Sequence, residues 1–232
     1  FCAKEKLPLD FYSWHCYSAD ATAPAAQARQ ARRLLDDNGF TKTESHLNEW
    51  NYVRGWSDEW VYSLECESGR FNQKGAAFTA VAMITCQEAP LDLLMFYDAR
   101  VNTNMNNLFD TLTLQPRKGY YPFFAWRRLL ELGTQVTATV TAPDVKKPQL
   151  FACAAKNDAG RGALFLARYS DNNNVVETRR VKLSLPKGVD PAAARCHLTD
   201  AVRTYTETPL IVQPDGTASL KLQPNSFALI EW

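Results

Sequence analysis

The sequence has little that would recruit a metal ion, a nucleic acid or a membrane. Its three histidines and six cysteines form no Cys-x-x-Cys pair and no spacing typical of zinc ligands. The 26 basic and 25 acidic residues leave a net charge of +1, which does not favour binding to nucleic acid or to an acidic membrane surface. No apolar run approaches the roughly 18 residues of a membrane span. We therefore expect a small, neutral partner, no metal and no cofactor.

The N-terminus lacks a recognisable signal sequence and an initiator methionine, because the chain opens on Phe1-Cys2-Ala3-Lys4. This start predicts that the chain begins inside a longer translation product. The six cysteines are even in number and widely scattered, which permits three disulfides. However, Cys16, Cys86 and Cys153 stand in apolar or strand-like contexts, where a buried free thiol is the commoner state.

Aromatic residues are abundant by contrast. They make up 12% of the 232 residues and include six Trp and nine Tyr. Aromatic faces suit stacking against the apolar faces of sugars, although most aromatics in most proteins belong to the core. The length allows one large domain or two smaller ones with a substantial core.

The first part of the chain repeats a strand followed by a helix. Strands are predicted at about 9–17, 41–50 and 91–97, and helices at about 23–37, 73–87 and 121–132. This alternation predicts α/β architecture with a parallel sheet over residues 1–133. Short alternating segments then predict an all-β antiparallel β-sandwich over residues 134–232. Its predicted strands are 135–141, 150–156, 162–169, 175–185, 195–200, 209–213, 218–222 and 226–231.

Glu49 is the candidate catalytic residue. It follows Asn48, precedes Trp50 and Asn51, and falls near the C-terminal end of the second predicted strand. Functional groups collect at such ends in parallel barrels, and neighbours of this kind tune carboxylate chemistry. The alternative is an ordinary surface or ion-paired glutamate. We interpret Glu49 as a nucleophile.

Two other strand ends carry similar chemistry. His15 and Tyr17 are two residues apart, so both side chains should project from one face of the first strand. Tyr97, Asp98 and Arg100 bring a phenol, a carboxylate and a guanidinium to the end of the third strand. His15 could instead be a satisfied core histidine, and Asp98 with Arg100 could simply be an ion pair that fixes the loop.

The order of these strand ends resembles the last part of the barrel in glycoside hydrolase family 39 and its clan A relatives. The residues that carry the likeness are Trp14-His15-Cys16-Tyr17, Leu47-Asn48-Glu49-Trp50-Asn51, Leu94-Met95-Phe96-Tyr97-Asp98, Leu108-Phe109-Asp110, Lys118-Gly119-Tyr120-Tyr121 and the C-terminal strand 226–231. The resemblance implies the last three βα units of a (β/α)8 barrel over about residues 9–133. It also implies a retaining glycosidase that acts on β-xylosides, arabinosides or related oligosaccharides.

In that interpretation Glu49 attacks, and other residues bind the sugar. The candidates for substrate binding are His15, Tyr17, Trp50, Asn51, Tyr52, Trp60, Tyr97 and Asp98. Export to the periplasm or out of the cell would suit such an enzyme by analogy.

The general acid/base is missing from this pattern. The family takes it from an Asn-Glu pair on an earlier strand, whereas Asn48-Glu49 is the only Asn-Glu in this chain. Glu44 lies five residues before Glu49, which predicts opposite faces of an extended strand and a separation of about 16 Å. Since retaining hydrolysis needs carboxyl groups about 5 to 5.5 Å apart, Glu44 is excluded as the partner. We expect an upstream barrel segment, from the same precursor or a second chain, to supply the acid/base and the remaining strands.

Two further hypotheses remain. The first is a non-catalytic carbohydrate-binding or scaffold protein that keeps the barrel shape. The second is a polysaccharide-binding sandwich, although strand positions favour packing for its aromatics. Those aromatics are Phe151, Phe165, Tyr169, Tyr205, Phe227 and Trp232.

Overall fold

A computed structural model describes residues 1–57, 59–141 and 149–232. Helices and strands alternate in the first part of the chain. The elements there are α1 (Cys2–Glu5), β1 (Phe11–Ser18), α2 (Ala23–Asp37), β2 (Glu44–Tyr52), α3 (Trp60–Phe71), α4 (Gln73–Gln87), β3 (Leu93–Leu94), a 3-10 turn (Lys118–Tyr120) and α5 (Tyr121–Leu132). Strands β1, β2 and β3 form a parallel sheet in that order.

The three predicted long helices are confirmed at α2, α4 and α5. Helix α2 has a proline in its first turn, where a missing N–H costs nothing, and its buried residues include three alanines. Asn72 caps α4 by accepting a hydrogen bond of 2.8 Å from the backbone N–H of Lys74. Helix α3 was not predicted. Its inner side offers only two buried residues, Cys66 and Arg70, spaced four apart.

The rest of the chain forms two antiparallel sheets. Their strands are β4 (Thr134–Val136), β5 (Leu150–Lys156), β6 (Gly162–Arg168), β7 (Arg179–Leu183), β8 (Arg195–Thr199), β9 (Thr206–Glu207), β10 (Ile211–Val212), β11 (Ala218–Leu222) and β12 (Ser226–Glu231). One sheet has the order β4-β5-β6-β12-β8-β9 and the other β10-β11-β7. Leu166 and Ile230 of the larger sheet share an apolar cluster with Leu183 and Leu220 of the smaller one.

The opposite face of the six-stranded sheet packs on the helices. Phe165 and Phe227 are fully buried there, and Phe165 contacts Trp126 of α5 with ring centroids 6.5 Å apart. Tyr169 is also buried, and its hydroxyl donates to the backbone carbonyl of Ala19 at 2.5 Å. These aromatics therefore pack inside the molecule, as their strand positions predicted.

Helix α4 lies between the parallel sheet and the six-stranded sheet and is buried almost all round. Phe78 sits at its centre and touches the rings of Trp50 and Tyr52 from β2 and of Tyr169 from the chain after β6. One apolar cluster thus joins both parts of the chain.

The third strand differs from its prediction. A continuous apolar run over 91–97 predicted burial on both faces, but only Leu93–Leu94 form a regular strand, and Leu93 and Met95 are exposed. Backbone bonds from Asp92 to Ser45 and from Tyr97 to Trp50 still hold the run alongside β2. One face of this sheet is open in the described part of the chain, which is the physical reason for the exposure.

In the β region the predicted strand 135–141 is regular only as far as Val136, and residues 142–148 lie outside the described ranges. The prediction 175–185 shortens to β7, and β9 was not predicted. No helix among the described residues is long and apolar enough to cross a membrane.

The six cysteines are free thiols, and among them are Cys16, Cys86 and Cys153, whose sequence contexts favoured that state. Five of the six are buried. Burial raises the pKa of the Cys86 thiol to about 12 and, with a contribution from Asp20, that of Cys16 to about 11. These thiols are therefore un-ionised and suited to packing.

Replacing Phe78 should destabilise both parts of the chain together. We expect Phe78→Ala to lower the free energy of unfolding by about 3–5 kcal/mol, because it removes a fully buried ring from the shared cluster. Chemical denaturation followed by tryptophan fluorescence and by far-UV circular dichroism checks this. The exposed Leu130 of α5 supplies the control variant Leu130→Ala, with an expected change within about 0.5 kcal/mol. A similar loss for both variants would contradict a central role for Phe78.

Candidate functional site

A β-bulge in β2 places the candidate nucleophile. Trp14 pairs with Leu47 and His15 pairs with Glu49. Asn48 is therefore an extra residue that has no pairing partner on β1. Leu47 and Trp50 both face the helices and are fully buried. The bulge turns the Glu49 side chain to the open face of the sheet.

Two side chains of β1 contact the Glu49 carboxylate. The Tyr17 hydroxyl donates a hydrogen bond to Glu49 Oε2 at 2.8 Å, and His15 Nδ1 lies 3.3 Å from the same oxygen. The predicted common face of His15 and Tyr17 is therefore confirmed. Because parallel strands end on the same side, this group of three lies toward the C-terminal ends of β1 and β2.

The phenol of Tyr17 is held in its protonated form. Burial raises its pKa well above the ordinary value, and the hydrogen bond to Glu49 and the negative charge there raise it further. Tyr17 therefore serves as a hydrogen-bond donor to Glu49 and not as a base.

Asp98 is buried and fully engaged within its own loop. Its Oδ2 accepts from Arg100 Nε at 2.9 Å and from Arg100 Nη2 at 2.6 Å, while Oδ1 accepts from Thr103 Oγ1 at 2.8 Å. Arg100 also donates to the Tyr97 hydroxyl at 2.7 Å. This is the loop-fixing ion pair that the sequence left as an alternative. Tyr97 reaches the site through its ring, which meets that of Tyr17 edge-on at 6.4 Å.

Three of the predicted sugar-binding residues lie inside the protein. Trp50 is 0% exposed and packs on Phe78 and Phe96. The Asn51 amide donates to the carbonyls of Tyr97 and Met105 at 2.7 and 2.8 Å, so it fastens the loop after β3 to β2. Tyr52 donates to Asp171 Oδ1 at 2.6 Å, on the far side of the sheet from Glu49. Buried in this way, they can act on a ligand only by holding the exposed residues in place.

Trp60 and Trp56 are the exposed indoles near β2. Trp60 begins α3, and its side chain makes no ring contact within the described ranges. Trp56 was not among the predicted site residues, but its ring meets the Tyr17 ring edge-on at 5.6 Å. The signal in the sequence was the cluster of aromatics directly after the candidate nucleophile.

The prediction that Glu44 and Glu49 face opposite ways was wrong, because the bulge adds one residue and brings them to the same face. Glu44 instead pairs with His46, whose Nε2 lies 2.8 Å from Glu44 Oε2. Glu44 stands opposite Phe11 and Glu49 opposite His15, so four steps of β1 separate them. At about 3.3 Å per residue this is about 13 Å, still too far for a retaining pair.

The described ranges contain no set of metal-binding side chains, because no three His, Cys, Asp or Glu side chains are grouped there to hold an ion. The site therefore offers a carboxylate, a phenol, an imidazole and aromatic rings. Such groups can bind hydroxyl groups and can form a covalent bond through the carboxylate.

Solved structures that this chain resembles include glycoside hydrolases. A glucosidase from Croceicoccus marinus aligns with a TM-score of 0.68 and 19% identity over 99% of this chain and 55% of its own. A family 51 α-L-arabinofuranosidase from Bifidobacterium longum aligns with a TM-score of 0.63 and 16% identity, over 99% and 54% of the two chains. A GH30 endoxylanase from Clostridium papyrosolvens gives 0.55 and 12%, over 96% and 48%.

At these identities the likeness establishes the fold alone, and the chain spans about half the length of those enzymes. No protein-family model and no curated protein sequence matches the chain. The assignment to family 39 in particular stays a prediction.

Removing the Glu49 charge should change the ionisation of Tyr17. We expect Glu49→Gln to lower the pKa of Tyr17, because the variant loses the negative charge and the charged hydrogen-bond acceptor. Burial remains, so the pKa should stay above the ordinary 10.0. Titration by NMR with 13C-labelled tyrosine, assigned with Tyr17→Phe, measures this shift. Glu131→Gln on α5 is the control and should leave the Tyr17 resonance unchanged. An unshifted pKa in Glu49→Gln would contradict the contact.

Proposed function

We propose that this chain is part of a retaining glycoside hydrolase in which Glu49 is the nucleophile. The observation that carries the proposal is the contact of Tyr17 and His15 with one oxygen of Glu49 toward the C-terminal ends of two parallel strands. The likeness in fold to a glucosidase, an arabinofuranosidase and an endoxylanase supports the class of reaction. Xylosides, arabinosides or related oligosaccharides are the proposed substrates.

The asymmetry of the contacts suits an attacking carboxylate. Tyr17 and His15 both approach Oε2, so Oε1 is the oxygen that would reach the anomeric carbon. In the first step Oε1 forms a bond to that carbon, the glycosidic C–O bond breaks, and the leaving oxygen takes a proton from an acid. Water then attacks the covalent intermediate, gives its proton to the same group and releases Glu49.

The second carboxyl group and the missing strands are assigned to a further polypeptide segment, upstream in the same precursor or on a second chain. Within the described ranges no strand pairs with the outer edges of β1 and β3. The open face carries exposed apolar side chains at Phe11, Leu93 and Met95. Open edges beside apolar surface are a liability that barrel closure removes. The three strands would then be the last three of a (β/α)8 barrel.

Replacing Glu49 in the protein that contains the completed barrel should abolish turnover. We expect Glu49→Ala to lower kcat by at least about 10³-fold, and azide to restore cleavage of a substrate with a good leaving group. A 2-deoxy-2-fluoro glycoside with a dinitrophenolate leaving group should label Glu49, as read by peptide mass spectrometry.

Glu44→Gln is the matched control, because Glu44 lies on the same face of the same strand as Glu49. Its carboxylate contacts His46. The variant should keep near-normal kcat. Labelling at a residue other than Glu49 would overturn the proposal. Sugar binding without any turnover or labelling would favour a non-catalytic carbohydrate-binding protein.

Barrel completion should protect the outer strands from hydrogen exchange. We expect amides of β1 and of residues 92–97 to exchange more slowly in the completed protein than in this chain alone, because their free edges gain partners. Mass spectrometry of exchanged peptides measures this. Strand β11, which already pairs on both sides, is the internal control. Equal exchange in both proteins would show that nothing adds to these edges.

A further inference from the structure

Trp56 combines high exposure with a fixed neighbour. Its side chain lies in the segment after β2 and is 73% exposed. The indole meets the ring of Tyr17 at 5.6 Å with an interplanar angle of 76°. Tyr17 in turn donates to Glu49. Tyr17 therefore contacts both the indole and the candidate nucleophile.

Exposure of a single apolar side chain needs no special explanation. Trp60 illustrates that case, since it is equally exposed and makes no ring contact in the described part of the chain. Trp56 differs because an edge-to-face contact orients its ring while most of the indole surface stays open to solvent. An oriented, uncovered indole is suited to bind the apolar face of another ring.

The distance from Glu49 decides which ring that is. The carboxylate must come within about 3 to 3.5 Å of the carbon that it attacks. The indole meets the ring of Tyr17, whereas the carboxylate meets its hydroxyl, so the sugar under attack is assigned to Glu49 and the Tyr17 hydroxyl and not to the indole. A ring joined to that sugar can reach Trp56.

We propose that Trp56 is a stacking platform for the sugar ring next to the one attacked by Glu49. It therefore favours oligosaccharides over substrates with a single ring. This inference rests on the proposed function and adds the residue that selects for chain length. Its contribution is to substrate binding, and the chemistry at Glu49 does not require it.

The test compares two substrates that are attacked at the same anomeric carbon, one with a second sugar ring as its leaving group and one with fluoride in its place. A β-1,4-linked xylose disaccharide carries the second ring, whereas β-xylosyl fluoride reacts at the same carbon without it. We expect Trp56→Ala, in the completed protein, to lower kcat/KM for the disaccharide about tenfold, mainly through KM. The fluoride should change less than twofold, and Trp56→Phe should recover part of the loss because a ring is retained.

Leu64→Ala is the control for exposed apolar surface, since Leu64 is exposed on α3 in the same region. It should affect neither substrate. If Trp56→Ala lowers kcat/KM equally for both substrates, Trp56 supports Tyr17 and does not bind the second sugar ring. That result would overturn the proposal. Unchanged kinetics on both would overturn it as well.

Binding supplies a readout that does not depend on turnover. Calorimetric titration in the Glu49→Gln background, where the disaccharide is not cleaved, should show tighter binding of the disaccharide than of xylose, and adding Trp56→Ala should remove the difference. No preference in the Glu49→Gln protein would overturn the proposal. The two hypotheses fail separately, because fluoride hydrolysis that survives in Glu49→Gln refutes the nucleophile. Loss of hydrolysis in Glu49→Gln together with no effect of Trp56→Ala refutes only the platform.

Discussion

The burial of α4 is the constraint on which the rest of the structure depends. Helix α4 contacts β2 and α3 on one side and α5, β5, β6 and β12 on the other. Twelve of its 15 residues are buried, so it has no solvent face of the kind that a surface helix keeps. Neither sheet could be removed without exposing it. The position of β2, and with it Glu49, therefore depends on a helix that is itself packed from both sides.

A polar contact reinforces this arrangement at the end of β2. The Tyr52 hydroxyl and Lys74 Nζ bind Asp171, with Lys74 donating to the Asp171 backbone carbonyl at 2.8 Å. Tyr52 is buried and donates to the Asp171 carboxylate, so loss of that side chain would leave the buried hydroxyl without this acceptor. The β region therefore acts here as a brace for the strand that carries Glu49. Its large aromatics contribute to the core, which leaves them little surface for a polysaccharide.

The sequence predicted the elements whose signals are local. Helices α2, α4 and α5 have an apolar pattern together with a start or stop signal, such as the capping Asn72 and the closing Gly133. Strands β5, β11 and β12 follow from alternation between clear turns. The third parallel strand was overestimated, because its burial depends on what covers the sheet, which a local pattern does not contain.

The direction of a site side chain was predictable where spacing along a strand determines it, and not where tertiary packing determines it. His15 and Tyr17 are two residues apart, so their common face followed from strand geometry. Trp50, Asn51 and Tyr52 were adjacent to Glu49 in sequence, and adjacency carried no information about burial. Trp56 was not predicted as a site residue, because its approach to Tyr17 depends on the path of the loop after β2.

The bulge at Asn48 shows how packing can orient a candidate nucleophile. A regular strand alternates faces, so with Leu47 on the helix side, Glu49 would also face the helices and Trp50 would face the open side. Burying a charged carboxylate without a partner costs several kcal/mol, whereas burying an indole is favourable by about 2–3 kcal/mol. The extra residue at the bulge reverses these two positions, so that Trp50 is buried and Glu49 faces the open side. The three-residue spacing between the buried Leu47 and Trp50 is thus a sign of the bulge in the sequence. The burial of Trp50 turns Glu49 toward Tyr17 and His15.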